Sequence, residues 1–182
     1  MRILLNKPDG SITKYAIAKM AECSAPWVIE FLRNLEGKHL VEKTKILDFE
    51  KLVDYYISIM QKIKHFDYFV QNPLEFLKSS GLKYAITTYA GENYFTHQLF
   101  PTRYDVYIDE KDIDTWKNLI MANGLLGGGN LRLLVSYDLK IIEDSTKIKG
   151  ISVVSKSVLL IDLRAEGGVC MESYHLMVSE NV

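Results

Sequence analysis

The sequence reads as an α+β protein built in two parts. A helical N-terminal module closed by a short hairpin is followed by a mixed sheet with helices on one side. Three observations point there. Apolar residues recur at helical spacing from Ile12 to Leu35, and β-branched or alternating stretches separated by caps and glycines fill the chain after Pro73. The third is that 182 residues at 48% hydrophobic content suffice for two small cores.

The charge balance adds little. Residues 1–50 carry eight Lys/Arg against seven Asp/Glu, and the remainder 14 against 16, so charge alone marks neither part as a nucleic-acid binder. The Ile3-Leu4-Leu5 run ends at Asn6-Lys7-Pro8, far short of the roughly 18 residues of a membrane span, and no membrane is expected. Cys23 and Cys170 fit no metal spacing, nor do the histidines at 39, 65, 97 and 175, so a reduced, cytoplasmic compartment without a metal is expected.

Ser11 or Thr13 can cap a first helix carrying Ile12, Tyr15, Ala16 and Met20 and ending near Glu22-Cys23. Ser24 caps a second, with Pro26 in its first turn, Val28, Phe31, Leu32 and Leu35 as its apolar stripe and Gly37 at its C-cap. His39-Leu40-Val41 then opens an extended stretch through Ile46-Leu47, with Lys43 and Lys45 outward. Asp48 caps a connecting helix whose stripe (Phe49, Leu52, Val53, Tyr56, Ile57, Met60, Ile63) reaches Lys62 and Lys64. The domains are expected at 1–64 and 65–182.

In the second part Pro73 opens a helix stopped by Gly81, Tyr84 to Thr88 is a buried strand, and Ala90 to His97 is a helix. Residues 103–109 alternate as a strand, and Asp112 caps a helix through Met121. Gly124 and the Gly127 to Asn130 run are turns before the strand LRLLVSY. Ile151 through Leu163 is apolar and β-branched at first.

A helix, a turn of about three residues, a Ser-capped helix and a hairpin make the pattern of a winged helix-turn-helix. Thr13, Ile17-Ala18, Ser24, Val28, Leu32, Leu35 and Leu40-Val41 carry the resemblance to winged-helix domains of prokaryotic transcription regulators. That resemblance implies double-stranded DNA as a partner. The outward residues Ser24, Ala25, Trp27, Ile29, Glu30 and Arg33 would meet DNA, and Lys38, Lys43 and Lys45 would meet phosphates. Winged helices also serve as protein-docking or dimerisation modules, and Glu30 is unfavourable near phosphate.

The layout strand, helix, loop, strand with Thr102-Arg103-Tyr104-Asp105 and Ile108 resembles the nucleotidyltransferase fold. With the winged helix in front, and with Val153 to Leu163 near the end, the chain is similar to AbiEi-type antitoxins. These are abortive-infection regulators, and the similarity implies a toxin partner and a homodimer.

An active nucleotidyltransferase needs two acids on alternate residues of one strand, both facing one metal pair. Asp105 takes the first place, Tyr107 stands in the second, and Asp109 lies roughly 13 Å along the strand from Asp105. Thr87-Thr88-Tyr89-Ala90-Gly91 lacks the Gly-Ser pair that takes the triphosphate. Asp112 and Asp114 read as first-turn helix acids. No catalytic residue and no cofactor are therefore expected. Were the domain active, Asp105, Asp162 and Glu92 would be its acids and Mg its cofactor. Arg103 reads as a surface ion-pair partner of Glu92 or Asp105.

The expected function is a DNA-binding transcriptional regulator, antitoxin-like, with a degenerate nucleotidyltransferase-like domain. Two alternatives remain: a metal-dependent nucleotidyltransferase whose helix-turn-helix holds a nucleic acid substrate, and a non-enzymatic protein-docking scaffold.

Overall fold

The computed structural model of the protein describes residues 1–126 and 128–179. The chain divides into two compact units, Met1–Met60 and the part from Gln61 onward.

The first unit begins with α1 (Arg2–Leu5), a helical turn whose Leu4 and Leu5 are buried. In α2 (Lys14–Ala21) the cap is Thr13, whose hydroxyl accepts from Ala16 N–H at 3.1 Å. Its buried side chains are Ile17 and Ala18, while Tyr15 and Met20, expected on the apolar stripe, are exposed. Glu22, Cys23 and Ser24 join it to α3 (Ala25–Gly37), capped by Ser24 and buried through Val28, Leu32 and Leu35.

The end of α3 differs from expectation. Gly37 is its last helical residue, and the left-handed position falls on His39, with φ 57°. His39 N–H reaches Glu36 O at 2.9 Å and Leu40 N–H reaches Leu35 O at 3.1 Å, the paired bonds of a Schellman end. Leu35 and Leu40 are both buried, and keeping them together fixes the turn at His39 whatever its side chain.

The hairpin is small: β1 (Val41–Glu42) pairs antiparallel with β2 (Lys45–Ile46). Lys43 is therefore a turn residue, at φ 56°, rather than part of a strand. Glu36 accepts its N–H at 2.8 Å, and Thr44 donates to Gly10 O at 3.1 Å. Gly10 sits at φ 80°, and a Cβ there would come within 2.9 Å of Lys45 Cβ, so the hairpin is clamped between α3 and the 8–10 segment.

Asp48 caps α4 (Phe49–Ile59), accepting from Lys51 N–H at 3.0 Å. The helix stops at Ile59, short of the Ile63 that the stripe implied. The chain beyond Met60 is drawn out to feed β3 (His65–Val70), a strand absent from the expected elements.

The second unit continues with α5 (Pro73–Ser79), β4 (Ala85–Thr87), α6 (Thr88–Glu92), β5 (Tyr104–Asp109) and a 3-10 turn at Glu110–Asp112. Next come α7 (Ile113–Asn123), β6 (Gly124–Leu126), β7 (Leu131–Ser136), α8 (Lys140–Glu143), β8 (Thr146–Ile148), β9 (Ile151–Val153), α9 (Lys156–Glu166) and α10 (Cys170–Ser179). Gly124 thus opens a strand, and the expected turn residue Gly127 lies outside the described residues. The cap before α7 is Asp109, which accepts from Lys111 N–H at 3.0 Å, and Asp112 lies in the 3-10 turn that follows.

Among the described residues seven strands form one mixed sheet in the order β6-β3-β7-β5-β4-β9-β8. At its centre β5 runs parallel to β7 over six residue pairs and antiparallel to β4, with Thr87 opposite Asp105 and Ala85 opposite Tyr107. Strand alternation sends Val106 and Ile108 to one face and Asp105 and Tyr107 to the other. On the first face Ile86, Val106, Leu133 and Val153 share a core with Phe76 and Leu77 of α5 and Trp116 and Ile120 of α7. The second face meets α9, through Asp162. Helices therefore cover both faces, a correction to the one-sided arrangement expected.

Candidate functional site

On the first unit, α3 buries Val28, Leu32 and Leu35, and the 3.6-residue period turns Trp27, Glu30, Arg33 and Asn34 outward, all exposed. Trp27 is 55% exposed and stacks on Phe31, with centroids 5.2 Å apart and planes within 5°. Of the other expected contacts, Ser24 is exposed and its oxygen is taken by the cap. Ala25 and Ile29 are half-buried, beside the outward stripe rather than on it. Asn34, outside the expected set, is exposed on the same stripe, four residues after Glu30 and seven after Trp27. Lys38, Lys43 and Lys45 are exposed, and Lys38 Nζ lies 5.3 Å over the Tyr55 ring. Between residues 24 and 45 stand four basic and three acidic side chains, so the surface is polar and mixed rather than strongly basic.

On the second unit the three acids named as a possible catalytic set, Asp105, Asp162 and Glu92, are buried, whereas Asp114 is exposed. Asp105 is 1% exposed. Arg103 Nε and Nη2 donate to its two oxygens at 2.6 and 2.9 Å, and the Thr88 hydroxyl donates to one of them. Arg103 also donates to Glu166 of α9 at 2.9 Å, and its guanidinium lies 5.3 Å over the Tyr89 ring. Burial works against the charge of Arg103, but its bonds to Asp105 and Glu166 prevail and raise its pKa. The expected surface ion pair is instead a largely buried one, with 20% of the Arg103 side chain exposed.

Asp162, one helical turn before Glu166, is also buried. It accepts from Thr87 Oγ1 at 2.5 Å and from Tyr107 OH at 2.9 Å. The tyrosine in the position of a second strand acid thus delivers a donor to a carboxylate on a helix. Glu92 takes no part in this group. It is buried and accepts from the Thr96 hydroxyl, from Gln98 N–H at 3.3 Å and from Leu99 N–H at 2.8 Å, fastening the loop after α6.

Two further members were not anticipated. Tyr89 OH donates to Glu166 at 3.2 Å, and burial, the largest cause, pushes its pKa up to about 12. Burial likewise pushes the Cys170 thiol up to about 11, with Tyr89 hydrogen-bonding nearby and Glu166 raising it further. Thr88 sits at φ 46°, a strained position for a β-branched residue, worth about 1–3 kcal/mol.

A shared divalent ion needs carboxylate oxygens free to converge on it. Both oxygens of Asp105 accept from Arg103, both of Asp162 accept from hydroxyls, and Glu92 is spent on its loop, so these residues as arranged do not fit such an ion. Among the described residues no group of three or more His, Cys, Asp or Glu is disposed to hold a metal. No described helix is long and apolar enough to cross a membrane. No protein-family model, curated protein or solved structure matches the chain.

Proposed function

We propose that the chain is a duplex-DNA-binding regulator whose first unit acts as a winged helix, entering the major groove with α3 and touching phosphates with Lys38 and the hairpin lysines. The observation that carries this reading is the outward polar stripe of α3, from Trp27 to Asn34, beside an exposed hairpin bearing Lys43 and Lys45. A helix presenting arginine, asparagine and glutamate to solvent offers the donors and acceptors that base edges require. The near-neutral charge of the surface implies modest affinity per copy, which a homodimer would offset by doubling the phosphates engaged. The family resemblance suggests an antitoxin-type setting, with a toxin as protein partner. In this reading the second unit is a nucleotidyltransferase-like sheet whose former acid positions serve structure.

The test is fluorescence anisotropy on labelled duplexes across a salt series. Lys43→Asn keeps a residue that tolerates positive φ and removes the charge, and Lys45→Gln does the same on the strand. Together they are expected to reduce the slope of log affinity against log salt by nearly two, at roughly 0.9 for each phosphate no longer neutralised. An unchanged slope would refute the phosphate assignment. Absence of any salt-dependent duplex binding would leave the docking scaffold. Nucleotide transfer with Mg²⁺ or Mn²⁺ that Asp105→Asn abolishes would favour the enzyme.

A further inference from the structure

Under the proposed DNA-binding reading, on which this inference rests, one exposed side chain of α3 is out of place. A carboxylate facing a polyanion weakens binding to every sequence, yet Glu30 stands at the middle of the outward stripe. It is not neutralised within the protein. Among the described residues the side chains of Glu30, Arg33 and Asn34 make no hydrogen bond or ion pair, although Glu30 and Arg33 lie one turn apart.

The groove itself can supply what Glu30 lacks. Guanine presents only acceptors in the major groove, and thymine presents an acceptor and a methyl group, so both repel a carboxylate or leave it unpaired. The donors there are the cytosine N4 and adenine N6 amines. Adenine places the N7 lone pair beside its amine, which opposes the second carboxylate oxygen, whereas cytosine has only C–H there. Arg33 has the complementary chemistry, since its two parallel N–H groups match O6 and N7 of guanine. With Cβ atoms about 5–6 Å apart at i and i+3, the two side chains are spaced to reach neighbouring base pairs.

We infer that Glu30 is a specificity-determining residue that selects a cytosine in the duplex read by α3, beside a guanine taken by Arg33, while weakening the hold on all other sequences. Its exposure means that it can be replaced without disturbing the core.

The experiment selects from randomised duplexes with the full chain, as wild type, Glu30→Gln and Glu30→Ala, and measures winners and single-base variants by anisotropy. The wild type is expected to enrich a motif with one cytosine whose replacement weakens binding roughly 5- to 100-fold. Glu30→Gln is expected to move that position to adenine, for which glutamine has the matching donor and acceptor. Glu30→Ala is expected to lose the preference there and to bind random duplex more tightly than wild type. An identical motif in all three proteins overturns the inference and leaves the DNA-binding reading intact. So does salt-dependent binding by the wild type with no selected motif. No binding to any duplex overturns both.

Discussion

Removing the guanidinium of Arg103 leaves a carboxylate stranded. Arg103→Met keeps most of the apolar stem and deletes both bonds to Asp105, at 2.6 and 2.9 Å, leaving the Thr88 hydroxyl as its remaining side-chain donor among the described residues. Breaking a buried ion pair from one side costs about 3–5 kcal/mol. The 20% exposure of Arg103 lets water in and argues for the lower end, about 3 kcal/mol. With a urea m-value of about 1.5 kcal/mol/M, the second unit should unfold roughly 2 M earlier.

The assay is urea unfolding followed by tryptophan fluorescence. The chain has two tryptophans, and a Trp27→Phe background leaves Trp116, fully buried in the core of the second unit, as reporter. Asp105→Leu and the double variant complete a cycle. Replacing both partners by apolar groups removes the stranded charge, so the double variant is expected to lie closer to wild type than Arg103→Met does. A midpoint shift below about 0.3 M for Arg103→Met, with a coupling under about 0.5 kcal/mol, would refute the claim that Arg103 holds a buried charge in place.

His39→Gly should stabilise the first unit by about 0.5–1 kcal/mol, because the left-handed turn at the end of α3 disfavours a side chain; a lower melting temperature would deny that turn. Thr88→Val keeps the strained backbone and loses the donor to Asp105, and should cost about 2–3 kcal/mol, whereas Thr88→Ser should stay within about 1 kcal/mol of wild type. Equal destabilisation by the two would remove the hydroxyl from the argument. Cys170, buried with its thiol raised to about 11, should resist a disulfide reagent at pH 8 in the folded protein while the half-buried Cys23 reacts; two equivalents reacting at one rate would contradict this. Since its folded pKa lies above the usual thiol value of 9.0, the contribution is fully present below that value and is lost as pH rises toward 11, so a urea midpoint that stays flat across this window would count against it.

What could be read from the sequence was local. Ser24, Asp48 and Pro73 announce their helices because a cap acts within three residues, and Tyr104–Asp109 shows its alternation openly. What could not be read was decided at long range. The alternation of Phe66, Tyr68 and Val70 was present, but it is short and follows directly on a helical stripe that runs up to Ile63. The strand also exists through pairing with β7 and β6, some sixty residues away. In α9 every residue from Ser157 to Leu163 is buried, so no polar side exists to reveal a helical period, and Val153-Val154 made the stretch look extended. Of the six residues expected outward, Ser24, Trp27, Glu30 and Arg33 are exposed, Ala25 and Ile29 are half-buried, and Asn34 is outward though not expected, because only packing decides which residues beside the stripe lie outside.

The acid cluster follows the same logic one level higher. Sequence spacing could say that Tyr107 is not an acid, but not what a tyrosine does there. Parallel pairing of β5 with β7 and antiparallel pairing with β4 put Thr87, Asp105 and Tyr107 on one face, and α9 crosses that face with Asp162 and Glu166 four residues apart. The buried carboxylates Asp105 and Asp162 require compensation, and the chain supplies one guanidinium and three hydroxyls in place of a metal ion. Placing an acid at 107 would remove a donor from Asp162 and add a third charge to the same face. The present set of residues is thus self-consistent as a structural network, and a single substitution at position 107 would make it less stable rather than more like an ion-binding centre.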